Sequence, residues 1–123
     1  MMVYYAHCLA LYGTAQEKRD VELLERLGFT VFNPNNQMVE GLVRDAKKNG
    51  DDVMEAVFKP LAQSAASLVF RALPDGSIPA GVAKEIDWAL EAGVPVFELP
   101  SAVLSRVLSL EATREYLREV GYR

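Results

Sequence analysis

The stretch that most constrains the fold is AGVAKEIDWALEAG, residues 80–93, set between the loop LPDGSIP and the run VPVFEL. Val82, Ala83, Ile86, Ala89 and Leu90 recur at helical spacing and make one apolar face, which predicts a helix packed on a sheet. Gly93 ends the periodic run, because a residue free to take φ > 0 releases the chain, and the short apolar run beyond it suits a buried parallel strand. On a helical wheel centred on Ile86, Lys84, Asp87 and Glu91 point away from the sheet. Glu85 falls at the margin of the buried face, one turn from the helix start, where free backbone N–H groups and the positive dipole end collect. A carboxylate so placed can be held beside a ligand.

The rest of the chain repeats this alternation. VYYAHC (residues 3–8) predicts a first strand, and Thr14 with Glu17 three residues later forms a capping-box pattern for a helix over residues 15–27 that buries Val21, Leu23, Leu24 and Leu27. FTVF (residues 29–32) predicts a second strand, ended by the turn cluster Asn33-Pro34-Asn35-Asn36. Residues 37–50 are mixed and polar, and predict a loosely held helix over residues 39–48 able to act as a mobile cover. Asp51 or Asp52 can cap a helix running to Ala66, in which Pro60 predicts a kink or an interruption, since an internal proline costs about 3 kcal/mol. SLVFRA (residues 67–72) predicts the third strand, residues 94–99 the fourth and residues 103–108 a fifth, at the edge. Ser109 caps a last helix over residues 110–120, whose Leu110, Tyr116 and Leu117 can dock on the sheet. The whole predicts one domain over residues 1–123, a flavodoxin-like doubly wound α/β sandwich with a five-stranded, mainly parallel sheet of order 2-1-3-4-5.

Composition narrows the function. A chain of 123 residues, half of them hydrophobic, has material for one core. Thirteen Lys and Arg against seventeen Asp and Glu give a formal charge of -4 with no basic run, which argues against polymeric nucleic acid as a partner. The single cysteine, Cys8, cannot form an internal disulfide and reads as a small core residue; with no signal-peptide pattern, the expected location is cytoplasmic. No apolar run approaches the ~20 residues that span a bilayer, so no membrane role is expected.

In doubly wound sheets ligands sit beyond the carboxyl ends of the strands. Those ends carry His7, Cys8 and Tyr12, then Asn33 and Asn35, then Arg71, Asp75 and Gly76, with Gly81 and Glu85 from the following helix. Of these, His7, Asn33, Arg71, Gly76 and Gly81 are the candidate substrate-binding residues. His7, the one histidine, reads more readily as a hydrogen-bonded structural residue than as a base, and no metal site is expected. Arg71 can pair with Glu85 or meet a phosphate. Asp75, in Pro-Asp-Gly, suits a turn as well as an acid role.

Tyr4 and Ala6 in the first strand, Asp75 and Gly76 in the acidic loop, Gly81 and Glu85 opening a helix, and Gly93, Pro95 and Val96 leading a strand together resemble the nucleoside 2-deoxyribosyltransferase-like proteins. The resemblance implies that Glu85 is a nucleophile attacking the anomeric carbon of a deoxynucleoside, that Tyr4 holds it by a hydrogen bond, and that Asp75 protonates or hydrogen-bonds the leaving base. It also implies a small-molecule nucleoside or nucleotide as partner and no metal or organic cofactor. Ser67 stands where family members commonly carry an aspartate at the start of the third strand, and a nucleoside- or nucleotide-binding module without turnover is the alternative reading. Trp88 points outward beside Gly81, Glu85 and Ala92, which suggests a homo-oligomer, or else a cover supplied by residues 37–50.

Overall fold

Strand β1 (Met2–Ala6) is the axis of the fold. In the computed structural model, which describes residues 2–100 and 107–122, β1 pairs in parallel with β2 (Thr30–Phe32) on one side and with β3 (Ser67–Phe70) on the other. β3 in turn carries β4 (Val96–Glu98), also parallel, so the described sheet has four strands in the order β2-β1-β3-β4. This is the expected order of the first four strands, and it is compatible with a flavodoxin-like fold. The fifth was expected at residues 103–108; it lies outside the described residues except for Val107 and Leu108, which are exposed and not in a strand.

Successive residues of a strand face opposite sides of the sheet. Tyr4, Ala6, Leu68 and Phe70 therefore pack with Ala62 of α3 (Lys59–Ser64) and with Val82 and Ala89 of α4 (Ala80–Glu91). Val3, Tyr5 and Val69 pack the other way, with Leu24 of α1 (Ala15–Arg26) and with Leu99. Burial on both faces is why β1 and β3 read as unbroken apolar runs.

α2 (Gln37–Lys48) is longer and firmer than the sequence predicts: Asn36 Oδ1 accepts from the Val39 N–H at 2.9 Å, and Val39 and Ala46 are buried against Val57. It is a wall of the molecule rather than a loose cover. Pro60 acts upstream of itself. Lacking an N–H, it cannot donate to the carbonyl one turn back, and the chain widens into a π-helical turn, Met54–Phe58, in which the Lys59 N–H donates to the Met54 carbonyl. Asp52 caps this segment by accepting from the Glu55 N–H at 3.1 Å.

α4 is rotated relative to the predicted wheel. Taking Val82 as the centre of the buried arc, Glu85 lies about 60° to one side and Leu90 about 80° to the other at 100° per residue; Glu85 is buried and Leu90 is 59% exposed. Leu27, just past α1, is likewise exposed. Trp88 is partly covered, and its cover comes from α3: Lys59 Nζ sits 5.9 Å from the indole centroid and Gln63 Nε2 donates to the Trp88 carbonyl at 3.5 Å. α5 (Leu110–Glu119) is capped by Ser109 as expected, but Leu110 and Tyr116 are exposed, the sheet faces being covered by α1 and by α3 with α4.

A buried ionic cluster ties α1 to β3. Asp20 accepts from the Tyr5 hydroxyl at 2.6 Å, from Gln16 Nε2 at 2.8 Å and from Arg71 in a two-pronged bond, Nε at 3.0 Å and Nη2 at 2.5 Å. Arg71 Nη1 also donates to the Pro100 carbonyl at 2.7 Å. Removing one member leaves a charge stranded in the interior. Asp20→Ala is expected to lower unfolding stability by about 3–5 kcal/mol, measured by urea denaturation, whereas Lys18→Ala, on an exposed position of the same helix, should stay within about 0.5 kcal/mol.

Candidate functional site

A cavity of about 790 Å³ opens beyond the carboxyl end of β1. The loop after β1 supplies His7, Cys8 and Tyr12, α4 supplies Gly81, Val82 and Glu85, α2 supplies Val39 and Val43, and the π-helical turn supplies Met54 and Phe58. Cys8 thus borders the cavity, half-buried, instead of filling the core as expected. Gly81 faces Met54 across the opening, with Met54 Cε 3.7 Å from where a Cβ would stand.

Glu85 is the buried carboxylate of this cavity, whose wall also carries the exposed charged residues Glu40, Arg44 and Lys47. Its Oε2 accepts a hydrogen bond from the buried Tyr4 hydroxyl, the contact that the family resemblance implies. Among the described residues nothing else bonds the carboxyl group, and no fully buried side-chain polar atom lacks a partner, so the second oxygen is the one the cavity reaches. Burial pushes the Glu85 pKa up, the Tyr4 bond pulls it part of the way back, and the result is about 7. Burial, and then the neighbouring Glu85 carboxylate, hold the Tyr4 phenol well above its ordinary range.

The contrast with Asp20 isolates the cause. Both acids are buried and both accept from a β1 tyrosine, but Asp20 also receives Arg71; burial raises its pKa, and the bonds from Arg71, Tyr5 and Gln16 together overcome that and leave it below the ordinary value. Among the described residues, no cation pairs with Glu85. Environment alone gives two similar carboxylates opposite tendencies.

His7 is held rather than free. Its Nδ1 lies 3.1 Å from the Tyr5 carbonyl and its Nε2 2.7 Å from Glu17 Oε2, and its ring stacks on Tyr5 at 3.9 Å. With both nitrogens engaged, it lines the cavity without being positioned to abstract a proton. Glu17 also accepts from the Gly13 N–H at 3.1 Å and from Asn35 Nδ2 at 3.1 Å, joining the loops that follow β1 and β2. Burial raises the Glu17 pKa, but the bonds from His7, Gly13 and Asn35 outweigh that and hold it low. Tyr12 borders the cavity as well; burial first, then Glu85 and Glu17, push its phenol up to about 12.

Four expected site residues fall elsewhere. Asp75 is exposed, and its Oδ1 closes a turn by accepting from the Ser77 N–H at 2.9 Å and from Ser77 Oγ at 2.6 Å; those bonds hold its pKa below the usual value. It is therefore a turn residue, and an exposed carboxyl held low has no proton to give near neutrality. Gly76 completes the same turn with φ 87°. Asn33 Oδ1 accepts from the Asn35 N–H at 2.9 Å, which spends the side chain on its own turn while Pro34 borders the cavity. Arg71 binds Asp20 and not Glu85. Ser67 is buried opposite Val3, at the start of β3 and away from the cavity end.

Among the described residues, no cluster of three or more His, Cys, Asp and Glu side chains is arranged to hold a metal ion, and no helix is long and apolar enough to cross a membrane. Comparison with protein-family models, with curated proteins and with solved structures returned no match.

The pH dependence of folding follows from Glu85. Its carboxyl titrates near 7 when folded and at 4.5 when unfolded, so the protonated form's contribution to stability is complete below pH 4.5 and is lost as pH rises through 7. Relative to Glu85→Gln, the wild-type chain should lose about 3 kcal/mol between pH 4 and pH 8. Urea unfolding at the two pH values checks this; parallel behaviour of the two proteins would show that the buried acid is not the source.

Proposed function

We propose that the chain cleaves, or transfers at, the N-glycosidic bond of a (deoxy)nucleoside or nucleoside monophosphate, with Glu85 as the nucleophile. The observation that carries this reading is a buried carboxylate with one oxygen held by Tyr4 and the other open to a cavity of about 790 Å³, large enough for such a substrate. The resemblance of Tyr4, Ala6, Asp75, Gly76, Gly81, Glu85, Gly93, Pro95 and Val96 to the nucleoside 2-deoxyribosyltransferase-like proteins supports it from the sequence side, although Asp75 and Gly76 lie in a surface turn.

In the first step the free oxygen of ionised Glu85 forms an ester bond to the anomeric carbon as the carbon–nitrogen bond breaks and its electron pair leaves with the base. In the second, water or another base attacks the same carbon and releases the carboxylate, and the proton the attacking group loses to solvent balances the one the departed base takes up from solvent. Tyr4 orients the nucleophile and keeps its pKa from climbing further. The departing base needs a hydrogen-bond donor; with Asp75 outside the cavity, Tyr12 takes that place, its phenol retaining its proton throughout the neutral range. The chemistry as written uses no cofactor.

The second reading, binding without turnover, is favoured by one observation: Asp75, the acid the family likeness would supply, is committed to a surface turn. Incubation with deoxynucleosides plus a foreign base, and with monophosphates, separates the two by base release or exchange. The enzyme reading expects release that falls about a thousandfold or more in Glu85→Ala. Tyr4→Phe should shift the acid limb of kcat/KM, near pH 7 in the wild type, to higher pH, because the lost bond is the one that lowers the Glu85 pKa. Release undiminished in Glu85→Ala removes the nucleophile from the account, and binding with no product after long incubation selects the binding module.

A further inference from the structure

Two solvent-exposed cations stand on the cavity wall, and neither is in an ion pair among the described residues. Arg44 and Lys47 are three residues apart on α2, hence on one face, and both border the cavity. The ion pairs among the described residues are His7 with Glu17 and Arg71 with Asp20, so neither of these cations is engaged. Glu40, one turn before Arg44, borders the same wall without pairing with it; the Arg44 guanidinium folds back over Gly41, Nη2 lying 3.6 Å from where a Cβ would be. The favourable end of the helix dipole accounts for the two lysines in the last turn of α2, Lys47 on the cavity wall and Lys48 away from it. It does not account for Arg44.

The spacing adds a second constraint. Val39 and Lys47 both border the cavity, and eight helical residues separate them along about 12 Å. A free nucleoside reacting at Glu85 offers these cations no charge, whereas a phosphoryl group carried by the substrate does. Arginine suits that group because its planar fork meets two phosphate oxygens at once, with lysine as the adjacent point charge.

We infer that the substrate of the Glu85 cavity is a phosphorylated nucleoside, its phosphoryl group held by Arg44 and Lys47; this rests on the glycosyl reading above and decides between its two substrate forms. The test compares kcat/KM for a deoxynucleoside and for its 5′-monophosphate, using the full chain as wild type, Arg44→Ala/Lys47→Ala and Lys48→Ala. The expected result is a preference for the monophosphate that drops about ten- to a hundredfold in the double variant, weakens with added salt, and persists in Lys48→Ala. A preference unchanged in the double variant, or a wild type that favours the free nucleoside, overturns the inference while leaving the nucleophile standing. Inorganic phosphate that accelerates deoxynucleoside cleavage and ends up on the sugar also overturns it, since the pair would then bind an acceptor. Where neither compound turns over, calorimetry with Glu85→Gln decides: monophosphate binding that the double variant abolishes supports the phosphate site although the enzyme reading has failed, and binding of neither compound removes both.

Discussion

The structure depends on a carboxylic acid that is buried with no cation paired to it among the described residues. Glu85 lies under the first turns of α4 with a single hydrogen bond from Tyr4, and the desolvation that follows lifts its pKa to about 7. A surface glutamate is ionised and fully solvated near neutrality, which makes it a poor nucleophile. An acid at this pKa exists in both forms, and its ionised oxygen meets a ligand with little water to displace. The arrangement lowers stability wherever Glu85 is charged.

That placement comes from two adjacent residues. Tyr4 and Tyr5 point to opposite faces of β1, so one strand delivers a phenol to each layer. Tyr5 meets Asp20, which Arg71 neutralises, and the three lock α1 to the sheet. Tyr4 meets Glu85, which no cation among the described residues pairs with. One layer is stabilised by a completed network and the other carries an incomplete one. The π-helical turn forced by Pro60 then brings Met54 and Phe58 to the far side of the cavity, so the backbone irregularity that interrupts a helix also builds a wall of the site.

Much of this was legible in the residues themselves. The β-branched and aromatic run VYYA, the helical stripe of α4 and the caps at Thr14 and Ser109 follow from local patterns, the order of the first four strands was expected from the fold class, and the Tyr4 to Glu85 contact was expected from the family likeness. What was not legible depends on distance. Glu17 and Asp20 sit on the same helical face as Leu24, a placement the wheel gives, but their burial is stable only because His7, Asn35 and Arg71 arrive from other elements. Asp75 has the composition of an acid site and the geometry of a turn, and Pro-Asp-Gly cannot distinguish them before the chain is folded. Nothing local singles out Arg44 and Lys47 in the mixed, polar run of residues 37–50; only the fold brings them to the wall that Val39 and Val43 also line.

Trapping the covalent intermediate is the most direct test of the role given to Glu85. A 2-deoxy-2-fluoro nucleoside or its monophosphate, with a good leaving base, slows the second step by destabilising the oxocarbenium-like state and lets the glycosyl ester accumulate. Peptide mass spectrometry should then find one sugar on Glu85, and none in Glu85→Gln. Base release from the normal substrate with Glu85 unmodified by the trap, or the sugar found on another side chain, would contradict the account.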